Sequence, residues 1–293
     1  MPEAPEVERI VGQLYDKLVC RHIVWSEILG DSSFIKRIKG LELWSNFRGL
    51  RLREISRRGK MIWFDFGKYY IVCSLGMTGS FRVVPSNDEP ILSKRDTRRN
   101  DRFCLTFSDR DDTEDFLVYN DPRKFGYFHF MTEEEFETKL KKLGPDLFEI
   151  TKEESVEIAS KIKEKRPKLS ICEALMNQSF VAGIGNYIKC EALYLAKIHP
   201  CSRLEELTVE QISDAIMQAK EVAKLSLKYG GNTIKDYVDV DGNKGTFSDM
   251  LNVYGKEYDT NGNRVVKSKT PDGRTSHIVP EIQGSYPIEL VLV

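Results

Sequence analysis

The chain has 293 residues, enough for two ordinary domains. Its 44 Lys and Arg against 45 Asp and Glu leave a net charge of −1, which excludes a polycation but allows a basic groove on a neutral body. Hydrophobic residues make up 41%, and no apolar run reaches the roughly 18–20 residues of a membrane helix, so a packed core is expected and a membrane span is not. The first residues, MPEAPE, lack a basic-then-apolar export signal, so an intracellular, non-secreted protein is expected.

Residues 5–18 carry Val7, Ile10, Val11, Leu14 and Leu18 at helical spacing, which predicts a leading helix with one buried face. From 22 to 130 the texture changes to seven short β-branched and aromatic runs: HIVWSEIL, MIWFDF, YYIVCSL, SFRVV, FCLTF, FLVYN and FGYFHF. That number of runs, broken by turns, predicts a sandwich or barrel. Residues 86–101 read as a long exposed loop.

After Thr132 helical texture takes over, at 132–142, 151–164, 168–178, 186–197 and 208–229, where Gly230-Gly231 ends the last helix. From about 253 to 279 the chain turns β-like again, with turn signals at Asn261-Gly262 and Pro271-Asp272-Gly273. The expected class is α+β. A leading helix and a β-sandwich occupy 1–131, a linker covers 132–151, and a helical domain over 152–293 ends in a β-hairpin at about 253–283.

The six cysteines and four histidines are scattered, with no CxxC, so reduced thiols are expected and no structural metal. Basic residues cluster despite the neutral total. Arg48–Lys60 holds six with one acid, Lys161–Lys168 holds five with one acid, and 94–102 adds Lys94, Arg95, Arg98, Arg99 and Arg102. Each cluster alone fits a solvated face; convergence of the three would suit a phosphate-tracking groove.

Four segments carry possible chemistry. If Met1 is removed, Pro2 becomes a secondary α-amine. An α-amine titrates near pH 8, against about 10.4 for lysine; proline's is more basic than most, which narrows the margin, but more of the neutral nucleophile still exists at pH 7 than for lysine. Attack on an aldehyde-like carbon would give an iminium ion, and Glu3 and Glu6 lie beside it as acid/base groups. The same residues also fit an ordinary capped helix start. Asp121-Pro122-Arg123-Lys124-Phe125-Gly126 offers cations beside an aromatic wedge, suited to insertion into DNA, or a surface turn with Phe125 tucked inside. Ser74-Leu75-Gly76-Met77-Thr78-Gly79-Ser80 could display Met77 from a tight turn. Ala182-Gly183-Ile184-Gly185-Asn186 runs into a helix, where free N–H groups bind phosphate and Asn186 could cap, or where the glycines merely allow close packing.

MPEAPEVE, SRRGKMIWF, SLGMTGS, DPRKFG, VAGIGNYIKCEALYLAKIHP and GGNTIKDY occur in the order found in one family. The chain resembles the formamidopyrimidine-DNA glycosylase / endonuclease VIII family of base-excision repair enzymes over roughly residues 2–283. The resemblance implies two domains with a DNA cleft between them, the second built on a helix–two-turns–helix. It implies Pro2 as nucleophile at the sugar C1′, Glu3 as its acid/base partner, Lys60 beside the lesion phosphate and Glu6 near the damaged base. Met77, Arg123 and Phe125 would fill the void left by the flipped nucleotide, while Lys168, Asn186 and Arg274 would hold phosphates. Flipping is required because neither C1′ nor the base reaches a nucleophile inside the stack.

Two departures stand out. Where most bacterial relatives carry a four-cysteine zinc finger, residues 253–283 contain no cysteine and resemble the family's zincless finger, so no metal and no cofactor are expected. Ser74 stands where many relatives have histidine. The expected activity is a bifunctional glycosylase and abasic-site lyase acting by β,δ-elimination. The expected partner is duplex DNA carrying oxidised purines (8-oxoguanine, formamidopyrimidines) or abasic sites, bound by a monomer. An endonuclease VIII-like enzyme for oxidised pyrimidines, a catalytically silent damaged-DNA-binding module and a ribosome-associated RNA binder are the alternatives.

Overall fold

A computed structural model of the chain describes residues 2–29, 32–85, 100–109, 111, 113–232 and 238–285. The cluster at 94–99, most of the expected loop at 86–101, the end of the GGNTIKDY motif and the tail from 286 lie outside the described residues. The chain divides into two compact units: 1–142 with 230–246, and 143–229 with 247–293.

The first unit opens with α1 (Ala4–Leu18), whose buried stripe is the one its spacing predicts: Val7, Ile10, Val11, Leu14 and Leu18. Nine strands follow. β1 (His22–Ile28), β2 (Ile38–Lys39), β3 (Glu54–Arg58), β4 (Met61–Asp65) and β5 (Tyr69–Ser74) precede β6 (Ser80–Pro85), β7 (Asp101–Ser108), β8 (Glu114–Asn120) and β9 (Tyr127–Thr132). They form a four-stranded sheet, β1-β7-β8-β6, and a five-stranded sheet, β2-β9-β5-β4-β3. All pairs are antiparallel except β2 with β9.

Aromatic rings join the sheets into a sandwich. Phe128 on β9 lies 4.9 Å from Phe103 and 5.0 Å from Tyr119 across the interface, ring centre to ring centre. The seven apolar runs became β1 and β4–β9. Two strands lay outside those runs. β3 (EISRR) is mostly polar and β2 has only two residues; both are sheet edges, where one flank needs no apolar partner. The short α2 (Trp44–Phe47) buries Phe47 against Phe66 and Phe130.

The segment 132–151 is more than a connector: α3 (Glu133–Leu140) forms within it and packs Phe136 flat on Tyr70, ring centres 4.1 Å apart. A second difference concerns 230–246, which was expected in the C-terminal domain. It belongs to the first unit, because Asp239 and Val240 bind Arg9 and Gln13 of α1.

The second unit is helical. It contains α4 (Lys152–Lys165), α5 (Ile171–Met176), α6 (Asn186–Leu195) and α7 (Val209–Lys228), then the hairpin β10 (Val266–Lys269) and β11 (Thr275–Ile278), and α8 (Pro280–Gln283). Thr151, Ser170 and Thr208 each cap a helix by accepting the N–H three residues on. Helix α6 is the centre of the unit: every residue from Tyr187 to Tyr194 is buried. Among the described residues no helix is long and apolar enough to cross a membrane.

Candidate functional site

In the first unit the head of α1 gathers three of the expected residues. Glu3 and Glu6 are 2% and 1% exposed, and the Glu3 backbone N–H donates to the Glu6 carboxylate at 2.7 Å. Two buried carboxylates within one turn are rare unless each is satisfied. Glu6 is satisfied from both sides, because its other oxygen accepts the Asn232 N–H at 2.6 Å. Gly231, at φ +90°, brings that chain so close that a Cβ there would sit 3.0 Å from Glu6. Pro2 precedes this pair and is buried, and with Met1 attached its nitrogen is an amide rather than an amine.

Lys60 lies half-buried in the β3–β4 turn. That hairpin is tied to α1 by the Arg57 guanidinium, which donates to the Glu8 carboxylate.

One face of α1 fixes the 230–246 segment. Glu6 takes Asn232, Arg9 pairs with the buried Asp239 at 2.6 Å, and Gln13 donates to Asp239 and accepts from Val240, both at 3.0 Å. Burial raises the Asp239 pKa, but the Asn243 N–H, Arg9 and Gln13 outweigh it and hold the carboxyl below its usual range.

Met77, Arg123 and Phe125 also come together. Arg123 Nη1 lies 3.8 Å from Met77 Sδ, and a Cβ on Gly76 would approach the Phe125 carbonyl carbon to 2.6 Å. Phe125 is 49% exposed, so it is displayed and not tucked inside. Beneath the two loops sits Asp121, fully buried. Its carboxylate accepts Thr78 Oγ1 at 2.7 Å, the Gly126 N–H at 2.9 Å, Tyr119 OH at 3.1 Å and the Arg123 N–H at 3.2 Å. The Ser74 hydroxyl, in the place of the family histidine, accepts the Gly76 N–H at 3.4 Å.

In the second unit Asn186 meets the hairpin. Gly185, not Asn186, is the N-cap of α6. The Asn186 side chain is therefore released from capping, and its Nδ2 donates to the Thr275 carbonyl at 3.0 Å, beside the exposed Arg274. Lys168 is exposed in the turn between α4 and α5. The basic run around it is not all solvated: Lys163 reaches the Leu204 carbonyl at 3.0 Å and closes a turn.

The hairpin root is anchored on α6 too. The buried Glu191 carboxylate accepts the N–H groups of Asn252, Val253 and Tyr254 and the Asn252 side chain, at 2.8–2.9 Å. Among the described residues no group of three His, Cys, Asp or Glu side chains could hold a metal ion.

Sequence reasoning missed Arg9, Gln13, Asn232, Asp239 and, on α6, Lys189 and Glu191. Lys189 and Glu191 did leave a signal, being charged residues inside the apolar run IKCEALYL. The contacts of 230–246 left none, because they pair residues more than 220 positions apart.

Residues 1–128 match the formamidopyrimidine-DNA glycosylase N-terminal domain and residues 143–238 the formamidopyrimidine-DNA glycosylase H2TH domain. The formamidopyrimidine-DNA glycosylase of Acinetobacter baylyi is 34% identical over 272 residues, covering 92% of each chain. Among solved structures, a Lactococcus lactis FPG mutant in complex with a Fapy-dG containing DNA superposes with a TM-score of 0.82 at 28% identity, over 97% of this chain and 100% of that one. MutM in complex with carbocyclic 8-oxo-G containing DNA gives 0.81 at 28% identity, with the same coverage.

Proposed function

Since the chain belongs to the formamidopyrimidine-DNA glycosylase family, we propose that it excises oxidised purines from duplex DNA and then cuts the strand at the resulting abasic site. The observation that carries the mechanism is the head of α1, where Pro2 adjoins two buried carboxylates, one bonded to the backbone of the other's residue. Removal of Met1 converts the Pro2 amide into a secondary amine. In its neutral form that amine is a nucleophile.

The Pro2 nitrogen forms a bond to C1′ as the glycosidic bond breaks, and the departing base takes up the proton that the secondary amine loses. Glu3 supplies a proton to the ring oxygen as the sugar opens, leaving an iminium between Pro2 and C1′. The iminium acidifies C2′: loss of a C2′ proton breaks the C3′–O bond and expels the 3′ phosphate (β-elimination), and loss of a C4′ proton from the conjugated product breaks the C5′–O bond and expels the 5′ phosphate (δ-elimination). Glu6 faces the base through its link to Asn232, and Lys60 holds the adjoining phosphate. Met77, Arg123 and Phe125 occupy the vacated stack, offsetting part of the few kcal/mol that extrusion costs. Lys168, Asn186 and Arg274 grip the backbone, and the cysteine-free hairpin serves as the finger. Action on DNA makes this an intracellular protein.

Borohydride reduction tests the scheme. With a duplex carrying 8-oxoguanine or an abasic site, the trimmed protein should yield a covalent protein–DNA adduct, and Pro2→Gly should lose most of it. Absence of an adduct with abasic DNA overturns the mechanism. Faster excision of thymine glycol than of 8-oxoguanine and formamidopyrimidine would reassign the substrate.

A further inference from the structure

We infer that Lys189 is a positioning residue for Arg274, acting through Asp272. The proposal rests on the reading of Arg274 as a phosphate contact. Lys189 belongs to α6, the helix that Asn186 opens, and lies one turn further along the same face. Its Nζ meets Asp272 Oδ2 at 2.5 Å, and the two side chains are 0% and 2% exposed. A lysine so deeply placed is removed from any phosphate. Its charge is spent on the hairpin turn.

Asp272 passes that constraint on. Its other oxygen accepts Thr270 Oγ1 at 2.6 Å and the Arg274 N–H at 3.3 Å. Thr270 closes the turn by donating its N–H to the Arg274 carbonyl at 3.0 Å, and its hydroxyl meets Ser276 Oγ at 2.8 Å. The backbone on both sides of Arg274 is therefore held: its N–H by Asp272, its carbonyl by Thr270, and the next carbonyl, of Thr275, by Asn186. The arginine side chain projects from a turn fixed to the same helix as Asn186. A four-residue strand pair alone would not fix such a turn, because isolated hairpins are marginal in water. Two side chains of α6, three residues apart, do so.

A buried ion pair can also exist for packing alone, and the test separates the cases. Replacing both partners by apolar residues of similar size is often neutral for stability, whereas removing one leaves a buried charge. The double variant Lys189→Met/Asp272→Leu is compared with wild type and Arg274→Ala for binding to a duplex containing a tetrahydrofuran abasic analogue, across a salt series. With a thermal midpoint near wild type, the double variant should bind about tenfold more weakly at low salt. Its log K against log salt slope should fall by about 0.9, the share of one phosphate. Adding Arg274→Ala to it should change nothing further.

Wild-type affinity and slope in a folded double variant, or full additivity with Arg274→Ala, overturns the inference. If the double variant does not fold, the charge exchange Lys189→Asp/Asp272→Lys takes its place. Recovery of the wild-type slope there, against a reduced slope in Lys189→Met, supports the proposal, and no difference between the two overturns it. A wild-type protein that ignores the abasic duplex overturns the functional reading itself, and with it this proposal.

Discussion

Asp121 accepts the Thr78 hydroxyl at 2.7 Å, and that one bond joins the turn displaying Met77 to the turn displaying Arg123 and Phe125. The three intercalation candidates are thus carried by a shared buried carboxylate rather than by two independent loops. Asp121→Ala strands the donors of Tyr119, Gly126 and Thr78. It should cost about 3 kcal/mol of stability by urea unfolding. Excision from duplex DNA should fall further than cleavage of an abasic site in a single strand, which has no stack to replace. Equal losses on the two substrates would count against a role in base extrusion.

Gly231 lies at φ +90° with Glu6 3.0 Å from where its Cβ would be. Gly231→Ala meets both backbone strain and a clash, and should destabilise by about 1–2 kcal/mol. Because Glu6 must shift, glycosylase activity should drop more than stability alone explains. Single-turnover excision at a temperature where the variant is fully folded checks this.

Arg9→Ala leaves Asp239, buried, without its guanidinium partner and should cost about 1–2 kcal/mol in thermal unfolding. Lys17→Ala removes only an exposed partner of Asp241 and should stay within about 0.5 kcal/mol. Comparable losses would show that the 230–246 segment is not held by the buried pair.

Acid should weaken the second unit in two stages. His277 is buried, and desolvation with Lys267 and Lys189 nearby pushes its pKa down to about 4. Since the unfolded histidine binds its proton near pH 6.5, stability is full above that value and is lost as pH falls from about 6.5 to 4. For Asp272 burial raises the pKa, but Lys189, the Thr270 hydroxyl and the Arg274 N–H together outweigh it and hold the carboxyl below its usual range. Its contribution persists above the ordinary carboxylate range and is lost only as pH falls below about 3.8. Thermal midpoints against pH for wild type and His277→Phe should diverge between pH 7 and 4, with the variant flatter.

What could be read in advance follows from the range of each interaction. The stripe on α1, the seven apolar strands and the capped helices announce themselves within a few residues, because burial and capping are local patterns. The candidate site residues came from motifs: Pro2, Glu3, Met77, Arg123 and Asn186 each sit in a short distinctive word. Strand β3 was not recognised, since an edge strand rich in arginine shows no alternation. The return of 230–246 to the first unit was hidden as well. It depends on Glu6, Arg9 and Gln13 meeting residues far along the chain, and charged side chains on the flank of an amphipathic helix look the same whether solvated or paired.

Glu191 and Lys189, both sealed inside α6, find their counterparts only after residue 251: Glu191 in the backbone of 252–254, Lys189 in Asp272. During synthesis on the ribosome these two side chains are made some 60 to 80 residues before their partners. The helical unit therefore cannot settle until its last strands emerge. A nascent or clipped chain ending before the hairpin would leave two polar side chains in its centre without their partners, and would present to cellular proteases as unfinished.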